Sequence, residues 1–161
     1  MINSQFREVI SDIEQFADTA QDIIHLQKFV VDTIAERLPS YNWVGFYMLD
    51  PEDAGTLVLG KFHGSPTEHV RIPVTEGICG AAVAQGETII VEDVSADPRY
   101  LSCSIETQSE IVVPIWVREK IVGEIDIDSH AIGAFGQVDR DFLEKCAALV
   151  GQFIERSLSH P

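Results

Sequence analysis

The spacing of apolar residues changes period along this chain, and each change predicts an element. Over residues 5 to about 38, Ile10, Ile13 and Phe16, then Ile23, Leu26, Phe29, Val30, Ile34 and Leu38, follow helical spacing. Ala17-Asp18-Thr19-Ala20 offers a break with an N-cap candidate, and Pro39, which has no N–H to continue the ladder, ends the segment. Short runs bounded by turn residues follow at 43–49, 56–62, 70–74, 88–91, 110–117 and 120–128, and these read as strands. Arg118-Glu119-Lys120 reads as the hairpin turn between the last two, although it lacks the usual Gly or Asn. Residues 77–85 read as a short helix opening after Thr75-Glu76-Gly77. From Val138 onward, Phe142, Leu143, Cys146, Leu149, Val150, Phe153 and Ile154 mark an amphipathic helix. This order predicts an α+β fold: a central, largely antiparallel sheet with the N- and C-terminal helices packed together on one face. The chain has 161 residues and no repeat, low-complexity tract or linker, so residues 1–161 are expected to form a single domain.

Composition changes the picture in one respect. Apolar (45%) and charged (23%) fractions are ordinary, but the formal net charge is −15. That balance argues against nucleic acid, whose phosphates need Lys and Arg, and against anionic membrane surfaces, while favouring attraction of cations. A generally acidic surface accounts for most of it. No apolar run approaches the roughly 20 residues of a membrane span, and the N-terminus has neither the basic nor the apolar part of a signal peptide. A cytoplasmic location is therefore expected, with Cys79, Cys103 and Cys146 as reduced thiols. His25, His63, His69, His130 and His160 show no metal-ligand spacing and there is no Cys-x-x-Cys, so no metal is expected.

The candidate chemistry lies between Cys79 and Asp128. Cys103 falls in a polar loop with Ser102, Ser104 and Thr107, and Arg99 is four residues before it. A nearby cation lowers a thiol's pKa and surrounding carboxylates raise it. Cys79, between glycines, leads into the short helix, whose N-terminus would favour a thiolate; a small residue packed where space is tight is the plainer alternative. Cys146 lies on the apolar stripe of the last helix and reads as core. Glu124, Asp126 and Asp128 alternate with Ile125 and Ile127, so they share one face of a strand, about 7 Å apart. Such a face is usually solvated, yet Asp is disfavoured in strands and no Lys or Arg compensates here. A pocket for an ammonium ion explains Asp126 and Asp128, while Glu124 reads as ordinary surface. Trp43 and Tyr47 share a strand face with Gly45 between them, which leaves room for a ligand beneath the aromatics; a core pair is the alternative. A loop thiol facing fixed acids suggests redox chemistry on a small cationic or zwitterionic molecule.

The element order resembles the GAF domain. Asn42-Trp43-Val44-Gly45-Phe46-Tyr47, Leu57-Val58-Leu59-Gly60, Val70-Arg71-Ile72-Pro73, Gly77-Ile78-Cys79-Gly80, Glu92-Asp93-Val94, Ser109-Glu110-Ile111-Val112-Val113-Pro114 and Ile125-Asp126-Ile127-Asp128-Ser129 are similar in order and spacing to the free methionine-R-sulfoxide reductases, which are stand-alone GAF domains. By position, the resemblance implies that Cys103 attacks the sulfoxide sulfur. It makes Trp43 and Tyr47 an aromatic wall around the methyl sulfoxide, and has Glu110, Asp126 and Asp128 bind the ammonium group or assist protonation at the sulfoxide oxygen. Cys79 matches a second family cysteine and is the implied disulfide partner; no bound cofactor is implied, only an external dithiol reductant such as thioredoxin. GAF domains often dimerise through their terminal helices, so a homodimer is a further expectation. Two departures stand out. The cysteine that commonly precedes the Val-Arg-Ile-Pro run, and usually resolves the oxidised thiol, is His69 here, and the neighbours of Cys103 differ from the family's Gly-His-Ile-Ala-Cys-Asp. Residues 94–100 look more like sensory GAF domains. A non-catalytic, small-ligand-binding GAF sensor module is therefore the competing reading, and a Cys79–Cys103 redox switch a third.

Overall fold

The structure, a computed structural model, describes residues 3–101 and 105–159. Helices α1 (Ser4–Thr19) and α2 (Ile23–Arg37) lead into β1 (Trp43–Asp50), β2 (Asp53–His63) and β3 (Arg71–Pro73). Helix α3 (Gly77–Gln85), β4 (Ile89–Val91) and a 3-10 turn (Val94–Ala96) follow, then β5 (Ser109–Val117), β6 (Lys120–Ser129) and α4 (Gln137–Ser159). The strands form one sheet in the order β3-β2-β1-β6-β5-β4, with antiparallel pairing throughout.

The N-terminal break falls later than the polar stretch at 17–20 suggests. Ala17 continues the buried stripe of Phe6, Val9 and Ile13, so α1 runs to Thr19. The cap of α2 is Asp22, whose carboxylate accepts the His25 N–H at 2.9 Å. Strand β2 begins at Asp53 because the hairpin from β1 is tight: Asp53 already pairs with Asp50, and its carboxylate accepts from Gly55 N–H (3.1 Å) and the Thr56 hydroxyl (2.8 Å). The β5–β6 hairpin turns on Arg118 (φ 50°) and Glu119 (φ 71°), two left-handed residues whose twist matches that of the strands.

The two faces of the sheet differ. Val44, Phe46, Ile111, Val113, Ile115, Ile125 and Ile127 meet α1, α2 and α4 in the larger apolar core. Phe6 and Phe142 stack at 4.2 Å and join the first helix to the last. Cys146 is buried in this core, as its place on the stripe predicts. Helix α4 approaches β5 closely at Gly151, where a Cβ would lie 2.3 Å from the Trp116 carbonyl oxygen. On the opposite face a smaller core joins Trp43, Tyr47, Leu57, Ile72, Ile89 and Val112 to Ile78, Cys79 and Ala82 of α3. Among the described residues no helix is long and apolar enough to cross a membrane.

Candidate functional site

Cross-strand register assembles the polar cluster. Trp43, Asp128 and Glu110 face one another across β1, β6 and β5; Gly45, Asp126 and Val112 form the next row, and Tyr47, Glu124 and Pro114 the one after. Period-two geometry thus places four carboxyl groups on the α3 side of the sheet. None is solvated: Glu110, Glu124, Asp126 and Asp128 are 4%, 0%, 1% and 2% exposed. The expectation that Glu124 is ordinary surface fails because α3 covers this part of the sheet.

Helix α3 carries Cys79 in its first turn, and the thiol donates to Asp126 Oδ2 at 3.5 Å. The turn fits because Gly77 has φ 72° and because Gly80 lies against backbone, where a Cβ would be 2.7 Å from the Val74 carbonyl oxygen. Burial pushes the Cys79 thiol well above its usual pKa, and Asp126, Glu124 and Glu110 push it further. The helix N-terminus was expected to favour a thiolate, but desolvation and three acids outweigh a dipole effect of about 1 kcal/mol.

Burial is also the main influence on the acids. It raises Glu124 well above the usual carboxyl range, with the Cys79 thiol pulling the other way and Asp126 adding to the rise. Burial, then the Asp126 charge, does the same to Asp128. Asp126 is raised by burial and held down by its hydrogen bonds to Glu110 and Cys79. Among the described residues, Asp126 Oδ1, Asp128 Oδ1 and both Glu124 oxygens have no partner in hydrogen-bond geometry. Such atoms are rare in folded proteins and call for a ligand or a proton.

The aromatics are fixed by hydrogen bonds. Trp43 Nε1–H donates to the Ser65 carbonyl (2.9 Å), and the Tyr47 hydroxyl donates to the His69 carbonyl (2.7 Å). The rings lie 6.3 Å apart, and Trp43 stacks on Phe62 at 5.5 Å. The space expected beneath them is filled by Trp43 itself: a Cβ on Gly45 would meet the indole at 2.3 Å. Gly45 makes room for Trp43, not for a ligand.

A cavity of about 10 Å³ remains at the centre of the cluster, lined by Tyr47, Cys79, Glu110 and Asp126 and closed by Ile72, Gly77, Ile78 and Leu101. The structure brings those four expected site residues together, while Trp43 and Asp128 flank the cavity without lining it. Cys103, with Ser102 and Ser104, lies outside the described residues. Arg99, the expected cation near it, is forked onto Asp97 at 3.0 and 2.7 Å. Sequence reasoning missed Ile72, Ile78 and Leu101 and misjudged Glu124, although the alternation of β6 already put Glu124 on this face. Cys79 Sγ and carboxylate oxygens of Glu110 and Asp126 lie within 4.8 Å of one another, a spacing that could hold a metal ion. A larger groove of about 440 Å³ lies between β5 and α4. Both of its arginines pair with acids on α4, Arg140 with Glu144 (3.1 Å) and Arg118 with Glu155 (3.2 Å).

The sequence matches the GAF domain family over residues 20–155. Protein YtsP of Bacillus subtilis is 48% identical over 110 residues, covering 68% of this chain and 66% of that protein. The free methionine-R-sulfoxide reductase of Escherichia coli is 42% identical over 113 residues, covering 70% of this chain and 66% of that protein. The match therefore spans just under two thirds of either relative. Among solved structures, the free methionine-R-sulfoxide reductase from Neisseria meningitidis, in complex with its substrate, is 33% identical with a TM-score of 0.91, covering 97% of this chain and 92% of that chain. With the family match over residues 20–155 and the architecture shared along 97% of the chain, the chain belongs to the GAF domain family.

Proposed function

We propose that this protein reduces free methionine-R-sulfoxide to methionine, with Cys103 as the nucleophilic thiol. The likeness to the Neisseria reductase along 97% of the chain is the observation that supports this reading most. The buried acids support it chemically. A free amino acid brings an ammonium group, and Glu110, Asp126 and Asp128 are buried carboxyl groups clustered on one face of the sheet that can receive it. Tyr47, which lines the cavity, supplies an aromatic wall for the methylthio end, with the Trp43 ring 6.3 Å behind it.

In the first step the Cys103 thiolate attacks the sulfoxide sulfur, the S–O bond breaks and methionine leaves. The oxygen takes a proton and passes to the Cys103 sulfur, where a new S–O bond leaves Cys103 as a sulfenic acid. Glu124, whose carboxyl burial raises well above the usual range, is the proton donor in this reading. In the second step a thiol attacks the sulfenic sulfur, a disulfide forms and water departs. Cys79 takes that role in this reading, and a dithiol reductant such as thioredoxin restores both thiols. Because burial and neighbouring acids oppose a Cys79 thiolate, the second step is expected to be slower than the first.

A single-turnover reaction of the reduced protein with free L-methionine-R-sulfoxide, counting methionine and free thiols together, tests both steps. One methionine and two thiols lost per chain is the expected result. One methionine with one thiol lost keeps Cys103 as nucleophile and removes Cys79 as its resolver. Folded protein that makes no methionine is a ligand-binding module instead, and undiminished activity in Cys103→Ser would refute the mechanism.

A further inference from the structure

We propose that the cavity beside Cys79 also takes a thiophilic divalent metal ion of the zinc class, held by Cys79 Sγ and by the carboxylates of Glu110 and Asp126. These donor atoms, from α3, β5 and β6, all lie within 4.8 Å of one another. Ligands of one tetrahedral zinc ion, bonded at about 2.0–2.3 Å, stand roughly 3.5 Å apart. The Cys79 Sγ to Asp126 Oδ2 distance is already 3.5 Å, so small side-chain rotations bring in the rest. Two further observations point to an occupant. Asp126 is 1% exposed and lines the cavity, yet its Oδ1 has no hydrogen-bond partner among the described residues. The cavity itself, about 10 Å³, is the size of one water-sized occupant.

The donor set selects the ion. A thiolate with two carboxylates suits zinc or cadmium, whereas calcium and magnesium require six or more oxygens, waters included, and have no use for sulfur. Binding exchanges the thiol proton for the metal: the S–H bond breaks, an S–metal bond forms and one proton is released to solvent, with no change of oxidation state. This exchange also removes the obstacle to a Cys79 thiolate, since the cation replaces the proton that burial otherwise retains. The inference does not rest on the reductase reading. Where both hold, metal and substrate exclude each other, because they share Glu110 and Asp126.

Cadmium titrated into the reduced full-length protein reads the site directly, through the ultraviolet charge-transfer band of a cadmium–thiolate bond. The expected result is one band-forming ion per chain, accompanied by proton release, in the wild-type protein and equally in Cys103→Ser. Cys79→Ser should abolish the band. Asp126→Asn and Glu110→Gln, which keep the thiol, should weaken binding by roughly tenfold or more while the band persists at saturation. These two variants keep the test decisive if Cys79→Ser fails to fold. The proposal is overturned by a wild-type protein that gives no band, by a band that survives in folded Cys79→Ser, or by carboxylate variants that bind as tightly as wild type. Displacement of cadmium by calcium at equal concentration would equally overturn it.

Discussion

Glu124 shows most plainly what burial does to a single side chain here. It sits at 0% exposure among Cys79, Asp126 and Tyr47, and its carboxyl is raised well above the ordinary value of 4.5. The sign of the consequence follows from proton counting. Between the unfolded and folded pKa values the folded chain holds a proton that the unfolded chain has released, so stability is full below the unfolded value and falls as pH rises. Each such group contributes a slope of up to about 1.4 kcal/mol per pH unit within its window. Asp128, raised from 3.8 for the same main reason, adds to it. Glu124→Gln keeps the shape and removes the charge, so its thermal midpoint should decline less steeply above pH 4.5 than the wild type's. Parallel midpoint-against-pH curves for the two proteins would show that Glu124 is not the group responsible.

Two elements carry predictions in which opposing effects have to be weighed. A Gly in a helix interior normally invites Ala, which gains about 1 kcal/mol in helix propensity. At Gly151 of α4 the added methyl would meet the Trp116 carbonyl oxygen at 2.3 Å, and backbone cannot swing away as a side-chain end can. Overpacking of this kind costs about 1–3 kcal/mol, so Gly151→Ala should lower the urea midpoint rather than raise it. The β5–β6 turn runs the other way. Glu119 adopts φ 71° without the freedom of glycine, and relieving that conformation is worth about 1 kcal/mol. Glu119→Gly should therefore stabilise the protein, and an unchanged or lower urea midpoint would count against strain in this turn. Much at this scale was legible beforehand: α3 spans the residues that its apolar run marks out, and the strand positions agree within a few residues. What the pattern leaves undetermined is depth. Alternation in β6 says that Glu124, Asp126 and Asp128 share a side, but only the packing of α3 across β5 and β6 makes that side an interior. The same limit applies to Trp43, whose strand face follows from spacing while its fold back over Gly45 does not.

For the molecule as a whole, a net charge of −15 sets a mutual repulsion that compact folding intensifies. Ion pairs between exposed side chains, such as Lys28 with Asp32, offset little of it. Raising sodium chloride from about 0.01 M to about 0.15 M shortens the screening length from about 30 to about 8 Å and should raise the thermal midpoint. A fall over that range would mean that specific ion pairs outweigh the general repulsion. The sheet divides labour between its sides: along β6, Ile125 and Ile127 serve the helix-packed core, while Asp126 lines the carboxylate cavity and Asp128 lies buried on the same face. Neighbouring codons thus answer to different selective pressures. A complete substitution scan of β6 should trace a saw-tooth, in which changes at the isoleucines abolish soluble protein and changes at the aspartates leave abundant protein with altered ligand binding. A single-residue insertion there would exchange the two sets at a stroke, so lineages of this protein can drift by substitution in β6 but not by changing its length.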